Sequence, residues 1–381
     1  MNRIIIHYPH RLVFGEKSLG QLAEDYLASG YKRLYVITVP LIAGHITSFI
    51  NKLESGGLSI QTDVTLKGEP AFSDFRNILA ACRKYKADSI AGIGGGSVMD
   101  VAKLVAALLY SDQKMESVVG NGLLKGRKTH LACVPTTSGT GSEVSPNAIL
   151  KDEKDGARKG IISPYLLPDW AYVDPELTVH LPSDITAYTA MDALTHCIEA
   201  YTNRHAHPMI DNIAIEGIRL ISHHIKRAFE NGQDLEARSK LALGSVYGGM
   251  CLGPVNTAAV HALAYPLGSV FKVAHGISNA LLLPYVMEFN LSAAVRRYND
   301  IAKAMGVSEG KTEKDTALKG ISFIKYLIKE CRLPSQLSDL GISLDNIDDL
   351  ANSAMKLQRL LQNNIRELDI EDVKAIYQMA S

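Results

Sequence analysis

The chain has 381 residues, with 40 Lys+Arg against 40 Asp+Glu, 46% hydrophobic and 21% charged. This is ordinary globular composition over about two domain lengths, which excludes an intrinsically disordered chain. A formal net charge of zero removes the general basic field of nucleic-acid or anionic-membrane binders.

The N-terminus Met1-Asn2-Arg3-Ile4-Ile5-Ile6-His7 has one basic residue and too short an apolar run for a signal peptide. No window approaches a membrane span. Cys82, Cys133, Cys197, Cys251 and Cys331 are scattered, with no C-x-x-C pair. That fits a reducing compartment, so a cytoplasmic protein is expected.

Arg33 to Thr38 reads as a strand ending before Pro40, and Leu58 to Val64 as another. Ser73 to Lys86 is helical, with Phe75, Ile78, Leu79 and Cys82 on one face. Asp88 to Ile93 reads as a buried strand running into Gly94-Gly95-Gly96-Ser97. Beyond it, Val98, Val101, Ala102, Val105, Leu108 and Leu109 recur at helical spacing. His130 to Val134 and Trp170 to Val173 are further strands. The alternation predicts a mostly parallel sheet covered by helices.

After Leu181-Pro182-Ser183-Asp184 no strand is expected, and Ser183 or Asp184 is a suitable helix N-cap. Ile210, Ile213, Gly217, Ile221, Ile225 and Phe229 trace one helical face, and Ile370 to Met379 forms a last helix. The expected architecture is an α/β N-terminal domain over residues 1–180 and an all-α C-terminal domain over 181–381, with a ligand cleft between them.

Two loops carry phosphate-binding chemistry. Gly94, Gly95, Gly96 and Ser97 join a strand to a helix, where glycines permit close backbone approach and first-turn N–H groups attract an anion. The pattern is not G-x-G-x-x-G, and a merely tight turn is the alternative. Pro135-Thr136-Thr137-Ser138-Gly139-Thr140-Gly141-Ser142-Glu143 supplies hydroxyl and backbone donors without bulk. It reads as either a surface loop or the second wall of a nucleotide site. Both loops follow strands, at the end where open α/β sheets bind ligands.

Asp192 and His196 stand four apart on one helix face. His261 lies in an apolar helical segment, and His275 follows Pro266 and Gly268, which are expected to break that helix. One Asp and three His suit Fe²⁺ or Zn²⁺, with satisfied core histidines as the alternative. His223 and His224 face solvent in this reading.

Taken in order, Gly94-Gly95-Gly96-Ser97-x-x-Asp100-x-x-Lys103, Pro135 to Glu143, Met191-Asp192-Ala193-x-x-His196, His261-Ala262-x-x-x-Pro266-Leu267-Gly268 and His275-Gly276 resemble the iron-containing (group III) alcohol dehydrogenases. Asn363-Asn364-x-Arg366-Glu367-Leu368 resembles that family's C-terminus. The resemblance covers most of the chain. It implies Asp192, His196, His261 and His275 as ligands of Fe²⁺ or Zn²⁺, and NAD or NADP on the glycine turn. Thr136, Thr137 and Thr140 would line the nucleotide site, Leu177 would contact the cofactor, and Asn147 would lie near substrate and nicotinamide. The metal would polarise the oxygen of a small alcohol or aldehyde while hydride passes to or from the nicotinamide. Homodimers or larger homo-oligomers are common in such families, and Ile4-Ile5-Ile6 is a β-prone segment suited to pairing with a neighbour.

Four positions depart from the family pattern. Val39 stands where many NAD-using members carry an Asp that bonds the adenosine ribose and repels a 2′-phosphate. Arg158, followed by Lys159, stands where relatives often have a cofactor-contacting Lys. Glu69 replaces a usual Asn. Tyr265 stands where many members have a second His near the metal, and is read as orienting substrate or relaying the proton alongside His261 and Asn147.

Two competing functions follow from the same residues. One is a relative of the dehydroquinate synthase or glycerol-phosphate dehydrogenase type, which needs a basic cluster at the metal. The other is a non-catalytic nucleotide sensor, which has no need of all four ligand positions.

Overall fold

The computed structural model describes residues 3–381, so Met1 and Asn2 of the N-terminal reading lie outside the described residues. The chain forms two units. The α/β unit comprises Ile6–Thr137 and Gly141–Val179. The helical unit comprises His180–Ser381 together with Ser138–Thr140 and the described residues 3–5.

The strands are β1 Arg11–Phe14, β2 Arg33–Ile37, β3 Ser59–Asp63, β4 Ser89–Gly94, β5 Gly120–Asn121, β6 His130–Pro135, β7 Asn147–Lys151, β8 Arg158–Ile162 and β9 Trp170–Val173. Six of them form one sheet in the order β1-β9-β6-β4-β2-β3, and every pairing in it is parallel. Every residue of β4 and β6 is buried, as expected for central strands covered on both faces. One face packs on an apolar cluster with Phe75, Ile78, Met99, Leu104 and Leu131. The other packs on Leu22, Tyr26, Val36, Phe49 and Val134.

A small second sheet, β5-β8-β7, was not expected. In the β7–β8 hairpin β7 alternates buried and half-buried residues while β8 buries only Ile161, and the Asp152-Glu153-Lys154-Asp155 turn dominates the sequence signal. The edge strand β1 is four largely exposed residues and gives little pattern. Ile4-Ile5-Ile6 belongs to no strand in this chain.

Among the described residues from 180 onward there is no strand. The helices Ser183–Tyr201, Pro208–Glu230, Leu235–Leu252, Ala259–Phe271 and His275–Asn290 surround a core that includes Leu194, Ile221, Leu241, Leu263 and Leu282. Two expectations are corrected here. The N-cap is Pro182, with Ser183 and Asp184 already inside the first turn. Pro266 does not break its helix, which continues to Phe271 and stops at Lys272 in the left-handed region (φ 57°). Interior proline costs about 3 kcal/mol in an isolated helix, and the buried apolar stripe Val260, Leu263, Ala264 and Leu267 outweighs that here. The face Pro208–Glu230 buries is centred on Ala214, Ile218 and Ile221, which leaves Ile213 and Phe229 half-buried. No helix among the described residues is long and apolar enough to cross a membrane.

Candidate metal centre and nucleotide site

Asp192 and His196 project from one face of the helix Ser183–Tyr201. His261 comes from the first turn of Ala259–Phe271, and His275 opens His275–Asn290. Asp192 Oδ1 lies 3.8 Å from His196 Nε2, 3.6 Å from His261 Nε2 and 3.8 Å from His275 Nε2. Ligand atoms of Asp192, His261 and His275 fall within 4.8 Å of one another. The His196 and His261 rings stack at 4.8 Å, which brings the fourth predicted residue to the same point. Close helix approach makes this possible. A Cβ on Gly276 would meet the Tyr188 carbonyl oxygen at 2.2 Å, so only glycine lets the His275 helix seat there.

Two residues of the centre carry no motif signal. Glu199 Oε2 bonds His261 Nδ1 at 2.5 Å, and its Oε1 accepts from the Val260 amide at 2.6 Å. Glu199 is one helical turn beyond His196 and shares its helix face, but only its contact with His261 marks it. Asn279, fully buried, donates to Asp192 Oδ1 at 2.6 Å, and its Nδ2 lies 3.2 Å from both His261 Nε2 and His275 Nε2. The donor atoms of Asp192, His261 and His275 converge where that amide sits.

The electrostatics suit a dication. Burial drives His196 down to about 4, against the pull of Asp192. Burial also lowers His261, but Glu199 and Asp192 reverse it and raise the ring to about 9. Burial alone would raise the Asp192 carboxyl, yet His196, His275 and His261 hold it well below the usual carboxylate range. Two buried carboxylates therefore face imidazoles. Neither forms an ion pair with a Lys or Arg among the described residues. A divalent cation would balance both charges and leave His261 Nε2 free to be a neutral ligand. Glu199 would then be the outer carboxylate that fixes the imidazole. Glu199→Gln is expected to weaken metal binding by roughly 10- to 100-fold, read as residual metal after competition with a chelator. Unchanged retention would remove Glu199 from this role.

In the α/β unit, β4 and β6 are neighbours, and the Thr136 amide donates to the Gly94 carbonyl at 3.0 Å. The two predicted loops thus leave adjacent strand ends together. Gly95 is the N-cap of Gly96–Leu108, with no side-chain cap on the first-turn amides of Gly96 and Ser97. Gly94 has a second constraint, since a Cβ there would meet Val98 at 2.6 Å. Asp100 accepts from Ser142 Oγ at 2.6 Å and the Ile149 amide at 2.9 Å. Lys103, buried, donates to the Ser145 and Asn147 carbonyls at 2.9 and 2.8 Å. The D-x-x-K pair therefore pins the second loop and β7, and Asn147 presents a buried Oδ1 with no hydrogen-bond partner.

Thr136 is buried and Thr137 half-buried, with Thr137 Oγ1 3.6 Å from where a Gly95 Cβ would stand. Thr140 is half-buried and grouped with the helical unit. Val39 caps the short helix Pro40–Ala43, and Leu177 packs on the sheet's apolar cluster. Arg158 is ion-paired with Glu69, and Lys159 with Asp155, so neither is an uncommitted cation for a phosphate. The two departures at 158 and 69 are thus one paired unit. Tyr265 stacks on the His275 ring at 5.4 Å with 29° between planes.

Family models described as iron-containing alcohol dehydrogenase and as the C-terminal region of that family match residues 9–175 and 186–381. The chain belongs to the iron-containing alcohol dehydrogenase family. It is 35% identical to long-chain-alcohol dehydrogenase 1 of Geobacillus thermodenitrificans, over 98% of this chain and 96% of that protein. It is 31% identical to 1,3-propanediol dehydrogenase of Klebsiella pneumoniae, over 98% and 97%. A crystal structure of a 1,3-propanediol oxidoreductase superposes with a TM-score of 0.96 at 30% identity, covering both chains fully. The parallel-sheet N-terminal unit and helical C-terminal unit are the fold of this alcohol dehydrogenase family.

Proposed function

We propose that this chain is a metal-dependent, NAD(P)-linked alcohol dehydrogenase, interconverting a small, weakly charged alcohol and its aldehyde. The observation that carries the reading is the buried Asp192, His196, His261 and His275 set with Glu199 behind it. When bound, the metal supplies Lewis acidity toward a substrate oxygen and the nicotinamide supplies or takes the hydride.

The remaining work falls to the chain. Asp192, His196, His261 and His275 hold Fe²⁺ or Zn²⁺, and Glu199 fixes the His261 tautomer. The amides of Gly95, Gly96 and Ser97 bind the pyrophosphate, with Gly94 shaping the turn and Thr136, Thr137 and Thr140 along its wall. Leu177 packs on the cofactor, and Asn147 Oδ1 accepts a hydrogen bond from the nicotinamide amide or the substrate. Val39 places an apolar group where a carboxylate would repel a 2′-phosphate, so NADPH is accepted as well as NADH. The Arg158–Glu69 pair contributes at most its residual field.

Tyr265 orients the substrate or passes its proton. Tyr265→Phe is expected to lower kcat roughly tenfold with metal content unchanged. An unchanged rate would sink this role.

The test of the whole reading is NADH and NADPH oxidation with a panel of short aldehydes, on protein purified without oxygen, with Fe²⁺, with Zn²⁺ or with chelator. Metal-dependent oxidation is expected. No turnover despite a full equivalent of bound metal would overturn it.

A further inference from the structure

The C-terminal pattern Asn363-Asn364-x-Arg366 has no part in the metal and nucleotide sites described above. It follows the short helix Gln358–Leu361, and both asparagines are buried. Their side chains go to different places. Asn364 pairs with Asn290 through both amides, at 2.9 and 2.8 Å. Asn290 ends the helix His275–Asn290, about 22 Å along it from the histidine. That pair fastens the end of the helix remote from the metal centre.

Asn363 acts closer to the centre. Its Nδ2 donates to the Thr257 carbonyl at 2.8 Å, and its own carbonyl accepts from the Arg204 amide at 2.8 Å. Thr257 lies immediately before the helix Ala259–Phe271, whose first turn carries His261. Arg204 lies immediately after Ser183–Tyr201, which carries Asp192, His196 and Glu199. One residue thus ties the start of one donor-bearing helix to the end of another.

The turn that Asn363 holds has little hold of its own. Asn256 stands in the left-handed region at φ 77°, and the N-cap Ala258 has no side chain to cap the helix. The first-turn amides of Val260 and His261 are capped from another helix, by Glu199 at 2.6 and 3.4 Å. The Asn256 carbonyl is held by Asn203 Nδ2 at 3.2 Å. A helix start fixed by outside side chains shifts when one of them is removed. Metal ligation is sensitive to such a shift, because ligand distances tolerate only about 0.2 Å.

We infer that Asn363 is a positioning residue for the metal centre, holding the Thr257 turn so that His261 Nε2 faces Asp192. The inference rests on the metal-centre reading given under the proposed function. Asn364, of the same chemistry and next in the chain, braces the fold without setting that geometry.

The neighbouring asparagine supplies the control. Parent, Asn363→Ala, Asn363→Ser and Asn364→Ala enzymes are loaded with Co²⁺. Affinity is read by competition with a chelator, and coordination geometry from the visible absorption of the bound ion. Asn363→Ala is expected to weaken Co²⁺ about tenfold and to alter the visible bands. Asn363→Ser, the milder change for folding, has a side chain too short for the Thr257 carbonyl and should give the same altered bands. Asn364→Ala should lower the melting temperature, since it too removes buried amide hydrogen bonds, while keeping the parent's Co²⁺ affinity and bands. Parental affinity and bands in the Asn363 variants would overturn the inference alone. An equal loss of affinity in Asn364→Ala would also overturn it, because the motif would then be a general brace. A parent enzyme that binds no Co²⁺ would overturn the metal-centre reading and this inference with it.

Discussion

Replacing His261 with alanine is expected to lower kcat/KM by roughly 10³-fold and to leave the purified enzyme deficient in metal. His261 is 3% exposed, and its Nε2 faces Asp192 at 3.6 Å. Its other nitrogen is held by Glu199 at 2.5 Å. The substitution removes one neutral donor from a set of four. It also strands the Glu199 carboxylate, which would keep only its contacts with the Val260 and His261 amides. A buried charge without its partner costs several kcal/mol, so the variant should melt earlier as well as turn over more slowly. The two effects separate experimentally. Metal content and rate are measured below the variant's own melting temperature, with circular dichroism confirming the helices. Full metal content with near-normal turnover would show that the centre does not depend on this ring.

The parts of this molecule that were legible in the sequence are those where one local rule suffices. Fully buried parallel strands read as apolar runs, which is why β4 and β6 stand out. Asp192 and His196 read as a pair because helical spacing puts them on one face. What was not legible depends on partners far along the chain. Glu199 resembles any helical glutamate until His261, 62 residues later, is seen against it. Asn279 has significance only because three helices deliver their donors to its amide.

Arg158 and Glu69 read as two separate departures, one a potential phosphate ligand, because nothing local says that they pair across 89 residues. Pro266 misled in the opposite direction. The local rule for proline is sound, and tertiary burial of the surrounding stripe overrides it. The tyrosine at position 265 is legible as a substitution, while its stacking on His275 is visible only in three dimensions.

Glu143→Gln is expected to stabilise the enzyme above neutral pH and to have little effect in mild acid. Glu143 is 2% exposed, at the end of the second polar loop. Burial raises its carboxyl from 4.5 to about 7, while its own backbone hydrogen bond and Lys103 pull the other way and are outweighed. A carboxyl whose folded value is raised favours the folded state while it is protonated. That stability is fully present below about pH 4.5 and is lost as pH rises through about 7. The loss is on the order of 3 kcal/mol once the group is ionised in both states. Glutamine keeps the shape and cannot ionise, so it escapes the loss.

Denaturant midpoints of parent and variant should therefore nearly coincide near pH 5 and separate by pH 8, with the variant the more stable. The sign distinguishes this from an ordinary ion pair, in which deleting the carboxylate would destabilise the enzyme most at high pH. A gap that stays constant with pH, or that opens in favour of glutamate, would show that Lys103 holds Glu143 ionised in the fold.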